Sequence, residues 1–161
     1  MCDRCAGVSD EQYSRQIKRN IQTYGWTVQY VEGDGRRNPG FGYTLGLSLR
    51  QHPEIIVFDA DPAWVYLALK PLARAVLKGS VFDEGDDLTA FFSPLESAQL
   101  LRFPDSATHL YTANQLFREP GDEPLPALQL VCPARTALIQ PSDGRPADEG
   151  GTRRTAEGDA R

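Results

Sequence analysis

Four side chains in this sequence have types and spacings suited to chemistry. Cys2 and Cys5, in MCDRC, form a Cys-x-x-Cys pair whose thiolates can reach one ion across a tight turn and supply half of a tetrahedral zinc site. The same pair can also be a redox dithiol, or a frayed terminus without a site. His52 and Glu54, in HPE, place an imidazole and a carboxylate two residues apart, which suits a base with its orienter or two metal ligands. Pro53 between them restricts His52 to extended backbone. The plainer reading has His52 closing a turn by bonding a backbone group while Glu54 faces solvent. Other zinc ligands would have to come from His109, Cys132 or a carboxylate, because the sequence has no second Cys-x-x-Cys and no paired His. Neither Ser48 nor Thr44 stands in a nucleophile-elbow motif.

A second signal lies in FGYTLGLS, residues 41–48. Strand alternation puts Phe41, Tyr43, Leu45 and Leu47 on one side and Gly42, Thr44, Gly46 and Ser48 on the other. A face that small admits either a closely packed helix, for which residues 62–78 are the candidate, or a ligand cleft floored by backbone. In the cleft reading the ligand-binding residues are Tyr43, Thr44, Gly46, His52 and Gln129.

The elements that position these residues follow from local pattern. Ser9 with Gln12 makes a capping box, and Tyr13, Ile17, Ile21 and Tyr24 form one helical stripe, which Gly25 ends. A Schellman ending would bring Ile21 against Trp26. WTVQYVE alternates as a strand, GDGRRNPG is a loop, FGYTLGL is a second strand and EIIVFDA is a third, covered on both sides. The short link between the second and third strands suits an antiparallel hairpin. Asp61-Pro62 opens a helix with Val65, Leu69, Leu72 and Val76 inward, broken or kinked near Leu69 by Pro71 and stopped by Gly79. LTAFF and SAQLLRF read as strands. Asp105 or Ser106 starts a third helix carrying Leu110, Ala113 and Phe117, with His109 at its surface or near its cap, and ALQLVC is the last strand.

The expected fold is α+β: a mostly antiparallel sheet of about five strands with two to three packed helices and a disordered C-terminal tail. Residues 1–7 form a flexible N-terminus, 8–139 a single domain and 140–161 a tail too poor in large apolar side chains to order itself. A chain of 161 residues buries enough surface to fold without a disulfide or a metal. Net charge is −5, and the adjacent basic pairs Arg36-Arg37 and Arg153-Arg154 make no patch, so phosphate-backbone binding is not expected as the main function. GDGRRNPG lacks the spacing of a phosphate loop, and Trp26, Tyr30 and Tyr43 have no basic surround in which to stack on bases. No run is long enough to span a membrane. Three cysteines without an export signal fit the cytoplasm.

The blocks YGWTVQYV, FGYTLGL, HPEIIVFD, AVLKGSVFDEGD and PALQLVCP resemble, in order and spacing, a bacterial domain of unknown function, the DUF4262 family. Many actinobacterial members also open with a Cys-x-x-Cys. The resemblance implies a fold and little chemistry. Where the family often has Trp-Pro-Asp, this sequence has Cys132-Pro133-Ala134. The expected function is a non-enzymatic binding or accessory module that recognises a small molecule or a protein partner around residues 43–54, with no nucleic-acid or membrane partner. The alternative is a small zinc-assisted, hydrolase-like enzyme using Cys2, Cys5, His52 and Glu54.

Overall fold

Ser9 opens the first element. Its hydroxyl accepts from the Gln12 amide, and the Gln12 side chain accepts from the Ser9 amide, each at 3.2 Å, so two orphan N–H groups are satisfied reciprocally. The helix that follows, α1, runs Asp10–Tyr24 and stops at Gly25 with φ 84°. The computed structural model describes residues 7, 9–92 and 97–133, so Cys2, Cys5 and the segment 140–161 lie outside the described residues. The Gly25 N–H closes the helix by donating to the Ile21 carbonyl at 2.7 Å, a left-handed ending with a single bond. The expected Ile21–Trp26 pairing gives way to a division of labour, because the two side chains belong to different cores.

Five strands follow: β1 Thr27–Val31, β2 Phe41–Leu45, β3 Glu54–Phe58, β4 Gln99–Phe103 and β5 Ala127–Val131. Their order is β1-β2-β3-β5-β4, and every neighbouring pair is antiparallel except β3–β5, which is parallel. The α+β expectation therefore holds, with a mixed sheet. Three further helices cover it: α2 Pro62–Leu77, α3 Ser106–His109 and α4 Tyr111–Phe117. Along β3, Ile55 and Val57 join α2 in one core, while Ile56 joins α1 and α4 in the other. A strand covered on both faces needs a continuous apolar run, and IIVF supplies it. Among the described residues no helix is long and apolar enough to cross a membrane.

Four local expectations fail, each for a physical reason. β2 ends at Leu45, because Gly46 adopts φ 115° and turns the chain into a 3₁₀ turn, Leu47–Arg50. Leu47 thereby crosses to the α2 core instead of sharing a face with Tyr43, and Ser48 leaves the strand altogether. α2 continues through Pro71 unbroken. The carbonyl that loses its donor belongs to Leu67, which is 64% exposed, so water can replace the missing bond. LTAFF forms no strand but a 3₁₀ turn, Thr89–Phe91, just after an isolated bridge from Asp87 to Gln99, because Leu88 plugs the core while Phe91 stays exposed and no alternation is sustained. The expected third helix divides at the fully buried Leu110. The Asn114 amide repairs the division by donating to the Ser106 and Leu110 carbonyls at 3.1 and 3.0 Å.

At Gly42 the packed-helix reading describes what is there: an added Cβ would overlap Val65 Cγ1 of α2. Gly42→Ala should therefore cost about 1–3 kcal/mol, the usual penalty of overpacking. Adding Val65→Ala restores the space, so the two changes should couple favourably by about 1 kcal/mol or more in a urea-denaturation double-mutant cycle. Simple additivity would show that the two residues do not meet.

Candidate functional site

Two polar side chains are buried where β2 turns into β3. Glu54 is wholly inaccessible. Its Oε2 accepts from the Thr44 hydroxyl at 2.6 Å and the Leu47 N–H at 3.3 Å, and its Oε1 accepts from the N–H groups of Gly46 and Ser48 at 3.0 Å each. Thr44 completes the knot by accepting from the Ile55 N–H at 2.9 Å. Burial pushes the Glu54 carboxyl above its ordinary value, and the Thr44, Ser48 and Gly46 donors pull it partly back. These four donors fill the roughly four lone-pair sites of a carboxylate. Glu54 thus ties the 3₁₀ turn to the strands, and the expectation that it faces solvent is overturned.

His52 is 3% exposed and does similar work on the next segment. Its Nε2 accepts from the Phe82 N–H at 3.0 Å, so the ring proton sits on Nδ1, 2.7 Å from the Pro53 carbonyl. The ring meets Phe82 edge-on at 6.0 Å. Both nitrogens are engaged with backbone, as the turn-closing reading expects, and neither presents a lone pair to a metal in this arrangement. Among the described residues no group of three or more His, Cys, Asp or Glu could hold a metal ion. Cys132 is buried. His109 is half-buried among the rings of Phe41, Phe58 and Phe103 at 5.2, 5.8 and 5.2 Å, with Nδ1 3.2 Å from Asp105 Oδ2.

The five ligand-binding candidates do not converge. Tyr43 and Thr44 are core residues, and Tyr43 accepts from the Thr112 N–H at 3.3 Å. Gly46 and His52 line a groove between the 3₁₀ turn and the end of α2. Gln129, which pairs with Ile56 in the middle of β3, lines a different cavity, one that reaches Val57 and Phe58.

That second cavity, about 710 Å³, opens at the carboxyl ends of the parallel pair β3 and β5, beside the start of α2. Open sheets with parallel strands commonly take ligands at this position. Val57, Phe58, Trp64 and Leu130 give it apolar walls, and the β1–β2 loop, with Arg36, Arg37 and Asn38, forms its polar rim. The loop has a fold of its own. Asp34 Oδ1 accepts from the N–H groups of Arg36, Arg37 and Asn38 at 2.9, 3.0 and 3.0 Å, and Oδ2 accepts from Asn38 Nδ2 at 2.7 Å. The backbone amides of Asn38 and Arg36, together with the remaining donors, hold the Asp34 carboxyl down to about 2. At its base the Asp59 N–H donates to the Gly40 carbonyl and the Tyr30 hydroxyl donates to the Asp59 carbonyl, each at 3.0 Å. Burial, then the charges of Asp59, Glu32 and Asp61, push the Tyr30 phenol up, which keeps it a donor. The N-terminus of α2 is already capped, since Asp61 accepts from the Ala63 N–H at 3.0 Å. The arginines therefore carry the positive charge at this mouth.

The sequence reading names Gln129 only for a cleft shared with His52, and it does not single out Arg36, Arg37 or Trp64 for this cavity. The available signal is Asp34 at the head of a Gly-, Asn- and Pro-rich loop, where an aspartate side chain commonly folds the backbone onto itself.

No curated protein and no solved structure matches the chain. One family model does, over residues 20–138, from the second half of α1 past the end of β5, and it leaves the Cys2–Cys5 pair outside the matched region. On that match the chain belongs to the DUF4262 family, a domain of unknown function.

Proposed function

We propose that this chain is a non-enzymatic binding module whose ligand, a small anionic molecule with an apolar body, sits in the cavity at the carboxyl ends of β3 and β5. The observation that carries the reading is the pairing of apolar walls with two arginines on a pre-folded loop, in a space of about 710 Å³. Binding cavities for small molecules typically run from about 300 to 1,000 Å³, mostly apolar with a few placed polar groups. Neither Arg36 nor Arg37 has an ion pair among the described residues, so an incoming carboxylate or phosphate would meet unpaired guanidinium groups. Reducing cytoplasm suits the buried Cys132 thiol beside this cavity.

The test is a two-dimensional amide NMR titration with phenyl phosphate and benzoate as probes. Shifts are expected at Arg36, Arg37, Asn38, Gly40 and Gln129, with affinity reduced about tenfold by Arg36→Ala/Arg37→Ala, the loss of one or two charge-assisted hydrogen bonds. Perturbation confined to other surfaces, or equal binding by the double variant, would remove the cavity from consideration.

A further inference from the structure

A second groove carries chemistry that neither the cavity nor the Glu54 knot uses. It lies where the end of α1 meets α2, has a volume of about 610 Å³, and is lined by Tyr24, Trp26, Tyr66, Lys70, Arg74 and Lys78 among others. Three cations and three aromatic rings meet there, and its lining holds no acidic residue although the whole chain has a net charge of −5. The expectation of no nucleic-acid partner rests on the net charge of −5 and on the adjacent basic pairs, which make no patch. A spacing of four hides Lys70, Arg74 and Lys78 from that count, yet it sets each beside the next on the helix surface.

The bland account of these cations is the helix dipole, and it fits Arg74 in the last turn and Lys78 at the cap. It does not fit Lys70, two turns earlier. Lys70 Nζ lies 5.6 Å from the centre of the Tyr66 ring, and that ring stacks on Trp26 at 6.0 Å and 14°. A stack anchored by a buried tryptophan thus positions an ammonium group at the groove. None of the three cations has an ion pair among the described residues. Tyr24 is the independent sign. By spacing it falls on the apolar stripe of α1, yet it is 69% exposed at this groove.

We propose that this groove binds a nucleotide unit, with phosphate against Lys70, Arg74 and Lys78 and the base stacked on Tyr24. Basic side chains that track phosphate beside an exposed aromatic face are how single strands and nucleotides are held without sequence readout. A free nucleotide and a single strand present the same unit, and the experiment separates them.

The full chain is titrated against fluorescein-labelled oligothymidylate and, separately, a fluorescent adenine nucleotide, with heparin as a polyanion control. Saturable binding of at least one nucleotide probe is expected, weakening with added salt at a logarithmic slope of about −0.7 per phosphate neutralised. Lys70→Ala/Arg74→Ala/Lys78→Ala should lose about tenfold or more, and Tyr24→Ala about fivefold, while Tyr24→Phe keeps its affinity because stacking needs the ring and not the hydroxyl. Melting curves should show each variant folded. Binding of the oligonucleotide alone assigns a strand, and binding of the adenine nucleotide alone assigns a mononucleotide. Absence of saturable binding by either probe at low salt overturns the proposal, as do unchanged affinities in the folded variants. So does heparin binding that matches the nucleotide probes while Tyr24→Ala has no effect.

Discussion

Glu54→Ala should lower the melting temperature by about 10 °C or more. Removing the carboxylate strands the N–H groups of Gly46, Leu47 and Ser48 and the Thr44 hydroxyl in the interior. An unsatisfied buried group costs about 1–3 kcal/mol, and even with water entering the vacated space the total should be on the order of 4 kcal/mol. A domain is stable by only about 5–15 kcal/mol, so the variant should sit close to unfolding at physiological temperature. Glu54→Gln should lose roughly half as much, because its amide oxygen keeps one pair of donors and its amide nitrogen can donate to Thr44. The wild-type protein should also show a pH signature. Burial raises the folded-state pKa of Glu54 above its ordinary 4.5, so the folded form retains a proton that the unfolded chain releases. That contribution is complete below the unfolded value and is lost as pH rises through the folded one. Stability measured by urea denaturation should therefore decline across that window in the wild type more than in Glu54→Gln. A Glu54→Ala melting temperature within about 2 °C of wild type would show that the knot holds nothing together.

Gly46→Ala should cost about 3 kcal/mol, and Gly46→Val should fail to fold. Two separate penalties act on any side chain there. The backbone sits at φ 115°, a region that L-residues rarely enter, and an added Cβ would lie 3.0 Å from the Gly25 carbonyl oxygen and 3.3 Å from both Ile21 Cγ2 and Trp26 Cα. The first penalty is conformational and the second steric, and neither can relax without moving the end of α1 or the start of β1. A cleft floored by an extended Gly46 would instead accept alanine with the fold intact. Calorimetry separates the two, since a Gly46→Ala midpoint within about 2 °C of wild type would return residue 46 to the strand.

What the sequence makes legible here are the local rules. The Ser9–Gln12 box, the left-handed Gly25, the Asp61 cap and the α2 stripe of Val65, Leu69, Leu72 and Val76 all appear as their spacing predicts. Each depends on residues within one or two turns. The misses depend on contacts closed across the fold. Alternation cannot distinguish a glycine that continues a strand from one that ends it, because the sign of φ leaves no mark on the surrounding residue types; Gly46 therefore reads as strand. Glu54 reads as a surface charge because its donors come from residues 44–48, which surround it only once β2 and β3 have paired. Gln129 is expected in one cleft with Tyr43, Thr44 and His52 but lines the cavity at the carboxyl ends of β3 and β5, where Arg36, Arg37 and Trp64 come from two other segments that no periodicity links to it.

The position of β5 has a bearing on how the molecule is made. It is the last strand among the described residues, yet it lies between β3 and β4, and β4 pairs with no other named strand. A nascent chain can assemble α1, the β1–β2–β3 meander and α2 as it emerges, but β4 has only its bridge to Asp87 until residues 127–131 have left the ribosome. Distant pairings of this kind slow folding, and an interrupted polypeptide exposes an unmatched strand to its neighbours. Translation that stalls before residue 127 would thus release a fragment whose β4 edge is open to pairing with other chains.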